Sequence, residues 1–231
     1  MKKFTFLFAM IAATLVSCNQ EKECEDLIEY GFPSLVDVYY IPNGINVKSC
    51  GVDSDSDIGN YIVLDCMPDE KPFKFDSEVN LPAFKQYASF YGDTIFSNIH
   101  TISALNYASV MPLISINVKT DKQFDEKHPA HSSINDLVYL YEFRDLETEI
   151  YVKKNNLPKE GKYYIELQRS LDSISEEEPL YMLNEWFRLH FKKLPDIYGT
   201  YNLTISMKFG ADPITGETVD LEPIVVKFDF N

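Results

Sequence analysis

The sequence is short of several residue types that mark familiar protein classes. Its 231 residues include one tryptophan, four cysteines, nine glycines and 21 basic side chains against 36 acidic ones. The net charge of −15 argues against nucleic acid as a partner, because phosphate binding needs clustered lysine and arginine. We expect most of this acidity to lie on a solvated surface.

The sequence also lacks an apolar run long enough for a transmembrane helix. The run from Phe4 to Val16, of about 13 residues, would span about 20 Å as a helix, whereas the hydrocarbon core is roughly 30 Å thick. Lys2 and Lys3 precede this run as a short positive segment. The pattern therefore predicts a signal peptide over residues 1–17.

The residues that follow the apolar run, Leu15-Val16-Ser17-Cys18, resemble the lipobox of bacterial lipoprotein precursors. Ordinary secretory cleavage is the alternative, but it favours small residues at both −1 and −3, and Leu15 would stand at −3. The resemblance implies cleavage before Cys18 and acylation of its sulfur. The lipid bilayer would then be a partner through the acyl chains, since each buried methylene adds about 0.8 kcal/mol.

The segment after Cys18 is polar and acidic (NQEKECED). It predicts a lipidated tether over residues 18–30, and it loosely resembles the surface-export signals of Bacteroidota lipoproteins; a plain solvated linker explains it equally well. We expect an outer-membrane lipoprotein of the cell envelope. Whether it faces the periplasm or the cell surface stays open.

Three cysteines remain after lipidation: Cys24, Cys50 and Cys66. An exported protein meets a disulfide-permissive compartment, so one bridge in any of three pairings, or three free thiols, are the alternatives. Cys50–Cys66 is the obvious pair. However, Cys66 shares a strand face with Ile62 and Leu64, whereas Cys50 has the parity of polar residues, which weakens this pairing.

Alternation of apolar and polar residues is the dominant pattern, and it is clearest over Tyr201–Phe209, as in a half-buried strand. Pro42-Asn43-Gly44 predicts one hairpin turn, and the glycines and proline within Phe209–Val219 predict a second. Other strands are predicted at Val36–Ile41, Ile45–Val47, Ile62–Cys66, Thr101–Tyr107, Ile114–Val118, Tyr163–Leu167, Phe187–Phe191 and Ile224–Phe230.

Helix signals are few. Asn80 can begin a short helix that has Phe84, Tyr87 and Tyr91 on one face and ends at Gly92. The stretch Asn135–Val152 combines strand-like alternation with a possible capping pattern at its start. We favour a strand there.

Many short strands with turns between them predict an all-β fold, an antiparallel β-sandwich over residues 31–231 with at most one or two short helices. One domain, or two subdomains that divide near 108–135, are both open. The segment Asp196–Leu203 (DIYGTYNL) resembles the entry to strand F of immunoglobulin-like domains, where a tyrosine hydroxyl bonds back across the corner. Tyr201 would be that tyrosine; the alternative is a simple turn followed by a strand.

Two loop segments carry residue types that bind metals. Asp53, Asp55 and Asp57 alternate as at the start of calcium loops, which makes them a weak calcium candidate. A helix–loop–helix calcium site would need glycine and glutamate where Ile58 and Leu64 stand, so a solvated loop is the alternative.

The second segment contains His128 and His131 in an HxxH pattern. Metal-ligand pairs on helices favour a spacing of four residues, and Pro129 disfavours a helix. We expect both histidines to be exposed loop residues.

Trp186, with Tyr181 nearby, is a weak ligand-binding candidate, because exposed aromatic side chains on sandwich faces stack on sugar rings in carbohydrate-binding modules. A lone tryptophan in an alternating strand is otherwise a core residue.

The lipobox, the acidic tether, the strand-rich body and the segment Lys119–Leu137 (KTDKQFDEKHPAHSSINDL) together resemble a lipoprotein family of Bacteroidota without an established activity. The resemblance therefore implies no functional residue. The sequence contains no GxSxG, HExxH, P-loop or GxGxxG motif.

We therefore expect no cofactor, and a non-enzymatic binding or structural module with a glycan or protein ligand. A carbohydrate-binding accessory protein of a glycan-uptake system, and a hydrolase with a convergent site at the two histidines, are the alternatives.

Overall fold

The computed structural model describes residues 36–53, 59–66, 72–74, 79–93, 107–142 and 168–231. These ranges contain one α-helix, α1 (Leu81–Tyr91), and two 3-10 turns, Asn135–Leu137 and Leu171–Ser173. The strands are β1 (Val38–Tyr40), β2 (Asn46–Asp53), β3 (Gly59–Asp65), β4 (Phe73–Lys74), β5 (Tyr107–Ser109), β6 (Leu113–Thr120), β7 (Val138–Glu142), β8 (Gln168–Ser170), β9 (Trp186–Phe191), β10 (Gly199–Phe209) and β11 (Ile224–Phe230). The predicted strand Tyr163–Leu167 and residues 101–106 lie outside the described residues.

Two antiparallel sheets form the sandwich. One has the strand order β2-β3-β9-β7-β8 and the other β6-β10-β11. Constant-type immunoglobulin domains have strands A, B, E and D in one sheet and C, F and G in the other. Read in chain order, β2, β3, β9 and β7 match A, B, E and D, and β6, β10 and β11 match C, F and G. The predicted all-β sandwich is confirmed, and its immunoglobulin-like strand order extends well beyond the carboxyl-terminal segment.

The sandwich core follows from the alternation in the sequence. In β10 the odd-numbered residues from Tyr201 to Phe209 are buried, as the pleat requires when one face is covered. Phe191 of β9 meets Phe228 of β11 at 5.4 Å between ring centroids, and the Cys66 Sγ lies 3.8 Å from the Met207 Sδ. These contacts join the inner faces of the two sheets.

A third sheet, in the order β4-β1-β5, packs with α1. The ring of Tyr39 lies 5.2, 5.8 and 6.0 Å from the rings of Phe84, Tyr87 and Tyr91 respectively. These are the helix residues that the sequence placed on one face, and Gly92 ends the helix in the left-handed conformation, with φ 68°. The predicted helix is confirmed.

The start of α1 differs in one detail from the sequence expectation. Asn80 is the N-cap residue, but its side chain makes no capping bond. Its Nδ2 instead donates to the Pro72 carbonyl at 3.2 Å. The amide therefore ties the helix start to the preceding chain.

The first predicted hairpin is wrong. β1 and β2 flank Pro42-Asn43-Gly44 but lie in different sheets. β2 continues to Asp53 and pairs with β3, and the Asn43 amide donates to the Cys66 carbonyl at 3.1 Å. The connection thus crosses between sheets, because β2 finds a longer partner in β3 than the three-residue β1 offers.

The second predicted hairpin is confirmed, since β10 and β11 are antiparallel neighbours joined by residues 210–223. The segment that begins at Asn135 forms a 3-10 turn and then β7, so strand is correct for Val138–Glu142.

The tyrosine at the start of β10 makes the predicted corner. Its hydroxyl donates to the Ile197 carbonyl at 2.7 Å and also lies 3.1 Å from the Gln123 carbonyl. Gly199, two residues before Tyr201, has φ 133°, a conformation that residues with a Cβ rarely adopt. The hydroxyl thereby ties the loop before β10 to the loop after β6.

Candidate functional site

The sandwich has two ends, and one of them carries the connections after β3 and β10. β2 begins and β3 ends here, with Asn46 opposite Asp65, and β9 begins here, with Trp186 opposite Asp65. In the immunoglobulin order these connections are B–C and F–G, which belong to the antigen-binding end of antibody variable domains. We refer to this as the first end of the sandwich.

Trp186 opens β9 with its side chain on the outer face of the five-stranded sheet. Phe187, Leu189 and Phe191 alternate with it and point into the core. Trp186 itself is 47% exposed, so the alternative that it is a core residue is wrong. Large exposed aromatic side chains are informative because an indole left in water forfeits much of its burial energy.

Lys48 and Asp65 lie beside Trp186. The Lys48 Nζ is 2.7 Å from the Asp65 Oδ2 and 5.5 Å from the centroid of the Trp186 ring. The Lys48 side chain is 45% exposed, whereas that of Asp65 is only 4% exposed. A buried carboxylate is stable only when it is paired, so Asp65 holds the lysine ammonium at the indole.

Glu185 directly precedes Trp186 and is half-buried. Its burial, followed by the nearby Asp65 carboxylate, raises the pKa of Glu185 to about 7, although Lys48 acts in the opposite direction. The carboxyl group therefore changes between a hydrogen-bond donor and a pure acceptor near neutral pH. We call Lys48, Asp65 and Trp186 the Trp186 corner; Glu185 stands opposite the inward-facing Cys66, whose amide donates to the Glu185 carbonyl at 3.1 Å.

The Trp186 corner combines a flat apolar ring with one ammonium group, which the buried Asp65 carboxylate holds beside the ring. This is the composition of small-ligand sites, in which aromatic surface supplies contact area and a few polar groups fix the orientation. The corner can stack a planar or ring-shaped ligand and hydrogen-bond its edge. Asp65 is too buried to reach a ligand, so it acts as a positioning residue for Lys48.

The opposite end of the sandwich holds the two histidines of the HxxH pattern. His128 is buried, with Nδ1 2.6 Å from the Asp125 Oδ1 and Nε2 3.0 Å from the Asp136 Oδ1. Lys193 also contacts Asp125. The prediction that both histidines are exposed is correct for His131 and wrong for His128, because Asp125 folds its loop back over the ring.

Asp125 also holds the backbone of the loop that carries His128. The Asp125 Oδ1 also accepts the backbone amides of Lys127 and His128, both at 2.9 Å. The hydrogen bond from Lys193, with further help from His128, holds the pKa of Asp125 well below its usual range. Both ring nitrogens of His128 lie within hydrogen-bond distance of carboxylates, and these contacts close the loop.

The Cys50–Cys66 disulfide is absent, since both residues are free thiols. Cys50 lies opposite Ile62 in the β2–β3 register, four residues from Cys66, and four residues span about 13 Å along a strand. Cys50 is also exposed while Cys66 is buried. The register therefore separates the two thiols along the strand, whereas the parity argument is wrong, because an irregularity between Val47 and Ser49 places Cys50 opposite the inward-facing Ile62.

Several of the predicted site residues lie outside the part of the chain that the structure describes. Cys18, Cys24, Asp55 and Asp57 lie outside the described residues, and only the backbone of Asp53 is described, at the end of β2 opposite Gly59. Among the side chains that are described, no group of three or more metal-ligating residues could hold an ion. The calcium and lipidation assignments stay predictions.

Lys48, Asp65 and Glu185 were not identified from the sequence. One available signal is parity, because the alternation over Phe187–Phe191 places Trp186 with the outward-facing residues. The sequence gives no register between β3 and β9, so it could not bring Asp65 to the indole.

The described part of the chain contains no helix long and apolar enough to cross a membrane. No protein-family model matches the chain, and neither the curated proteins nor the solved structures give a significant match.

Proposed function

We propose that the chain is a non-enzymatic binding module of the bacterial outer membrane, anchored by a lipid on Cys18, and that it contacts its ligand through the Trp186 corner. The half-exposed indole, with the Lys48 ammonium 5.5 Å from its ring centroid, is the observation that carries this proposal. The periplasm and the cell surface are both open to a module anchored in this way.

The position of the corner supports binding. It lies at the end of an immunoglobulin-like sandwich where antibody variable domains carry their antigen-binding loops, and loops on a rigid scaffold are common sites of recognition. The Asp65 carboxylate is buried against Lys48, so it positions the Lys48 ammonium beside the indole.

The anchor can be tested by metabolic labelling with an alkyne fatty acid in a bacterial host that processes lipoproteins. Cys18→Ala should abolish the label. The variant protein should be unacylated, whether it is released or retained. Cys24→Ala, six residues further along, is the matched control and should keep the label. Full labelling of Cys18→Ala would overturn the anchor.

Binding can be tested on arrays of glycans and peptides with the wild-type chain and Trp186→Ala. Signals that depend on Trp186 support the proposal. Tyr198, which is 64% exposed at the opposite end, provides the matched aromatic control, and Tyr198→Ala should bind as the wild type does. The absence of any signal, or signals that survive Trp186→Ala, would contradict binding at this corner.

A further inference from the structure

β11 forms one edge of the three-stranded sheet of the sandwich. The strand order is β6-β10-β11, and Ile224 to Phe230 pair with β10 without a shift in register. Among the residues that the structure describes, the backbone of β11 hydrogen-bonds to no strand other than β10. An edge strand of this kind presents a row of amides and carbonyls with which another strand can pair.

The other edges of the two sandwich sheets carry features that discourage such pairing. β2 has an irregularity between Val47 and Ser49, and β8 has only three residues. Along β6, the Asn135 side chain accepts the Val118 amide at 2.9 Å and donates to the Ile116 carbonyl at 2.7 Å. Bulges, short strands and covering groups are common protections of edge strands. Within the described ranges, β11 is therefore the long edge that lacks these protections.

The side chains of β11 alternate between the core and the solvent. Val226 and Phe228 are buried, whereas Lys227 and Asp229 are exposed on the outer face of the sheet. The Asp229 Oδ1 accepts the Thr200 hydroxyl at 2.6 Å, which holds the carboxylate on this face. Charged residues protect an edge when they would meet like charge, but opposite charges directly across an antiparallel pair stabilise it. The charges of β11 therefore decide which strand can pair with it.

A second β11 strand has the matching pattern. In an antiparallel pair related by a twofold axis at Phe228, the Lys227 of each copy lies opposite the Asp229 of the other. Core-facing residues then lie opposite core-facing residues, as a continuous pleated sheet requires. An axis at Lys227 or at Asp229 would place like charges opposite each other, which destabilises a strand pair. The charges thus select one register, which runs from Val225 to Asn231 in each copy.

We propose that two copies of the chain form a homodimer through β11, whose antiparallel pairing about Phe228 joins their three-stranded sheets into one continuous sheet. Both copies contribute the same surface, as in the commonest closed oligomers. One strand pair buries less area than the roughly 1,200 Å² at the lower limit of stable interfaces, so we expect a weak dimer whose population depends on concentration. The Trp186 corner lies on the other sheet, so this inference does not depend on the proposed binding function.

Sedimentation equilibrium of the processed chain, in a detergent matched to the solvent density, measures the association from micromolar to millimolar concentration. An ionic strength of about 0.15 M screens charges that are more than about 8 Å apart, so the net negative charge of the two copies contributes little. The wild type should dimerise as its concentration rises. Lys227→Asp and Asp229→Lys each create two like-charge pairs. Each variant alone should dimerise at least about tenfold more weakly, which corresponds to about 1.4 kcal/mol.

Complementary charges should restore the dimer. An equimolar mixture of the two variants places aspartates on one strand opposite lysines on the other, and it should associate as the wild type does. The double variant Lys227→Asp/Asp229→Lys exchanges the two charges within one chain and should also dimerise. Lys119→Asp is the matched control, because Lys119 is exposed on β6 at the opposite edge of the same sheet, and it should leave the association unchanged.

Three results would overturn the dimer. The first is a wild type that stays monomeric at millimolar concentration. The second is a failure of both the mixture and the double variant to regain association. The third is an equal weakening by Lys119→Asp and Lys227→Asp, because net charge rather than strand register would then control the association.

Discussion

Both ends of the sandwich pair a lysine with a buried aspartate, but these pairs have different neighbours. At the opposite end, the Asp125 carboxylate contacts both His128 and Lys193, and the Tyr201 hydroxyl closes the corner beside it. At the first end, the Asp65–Lys48 pair supports an indole that stays half in water.

The comparison separates a buried cluster from the surface proposed for binding. Polar side chains that are buried and paired stabilise loops, and their removal leaves unpaired groups in the interior. A half-exposed ring contributes less to folding, and its exposed area is available to the proposed ligand. Histidine is a residue type that often acts in catalysis. His128, however, is buried between Asp125 and Asp136 and belongs to the buried cluster.

The sharpest contrast is between adjacent residues of β9. Phe187→Ala removes a fully buried ring and should cost about 3–5 kcal/mol in the free energy of unfolding. Trp186→Ala should cost only about 1 kcal/mol, because half of the indole is already exposed. Urea unfolding of both variants measures the difference; a similar large loss for Trp186→Ala would make the indole a structural residue.

The Asp125 network at the opposite end should give the next largest effect on stability. Asp125→Ala should destabilise the chain by about 2–3 kcal/mol, since hydrogen bonds to charged groups are lost and His128 and Lys193 lose a partner. The exposed neighbour Glu126 is the control, and Glu126→Ala should change stability by less than about 0.5 kcal/mol.

The same network predicts a pH dependence. Because the pKa of Asp125 is lowered on folding, chiefly by Lys193, its stabilisation is complete above the unfolded value of about 3.9. It is lost as the pH falls through the lower folded pKa. The difference in unfolding free energy between wild type and Asp125→Asn should therefore shrink in acid. A constant difference across this range would contradict the assigned ion pair.

The tyrosine corner should give a smaller effect. Tyr201→Phe removes only the hydroxyl that reaches Ile197 and Gln123, so we expect a loss of about 1–2 kcal/mol in urea unfolding. Tyr198→Phe removes an exposed hydroxyl three residues earlier and should be nearly neutral. Equal effects of the two variants would show that the Tyr201 hydroxyl does not stabilise the fold.

Glu185 should show the opposite pH dependence. Its folded pKa of about 7 lies above the unfolded value of about 4.3, so its contribution is fully present at low pH and is lost as the pH rises through about 7. Relative to Glu185→Gln, the wild type should become less stable between about pH 4.5 and 7. Glu178→Gln is the control and should follow the wild type, as measured by melting temperature against pH.

Much of the fold could be predicted because local patterns and tertiary packing agree. The strict alternation in Tyr201–Phe209 fits a strand with one buried face. The aromatic residues from Phe84 to Tyr91, followed by Gly92, fit a short helix. The hairpin at Pro42-Asn43-Gly44 was wrongly predicted, because a turn signal predicts that the chain bends but does not predict which strands pair after the bend.

The site was less accessible to prediction. The parity of β9 places Trp186 outward, but Lys48 and Asp65 come from β2 and β3, which lie far from β9 in the sequence. No local pattern encodes their register. The burial of His128 was missed for a related reason, since Asp136 and Lys193 reach its loop only after β7 and β9 have paired.

The sequence by itself determined which residues face inward along each strand, where α1 begins and ends, and that Tyr201 stands at a corner, because these follow from backbone geometry within a few residues. The tertiary structure alone decided which strands became neighbours. That choice depends on burial summed over the whole core, and it set Lys48 and Asp65 beside the indole while it enclosed His128 between two carboxylates.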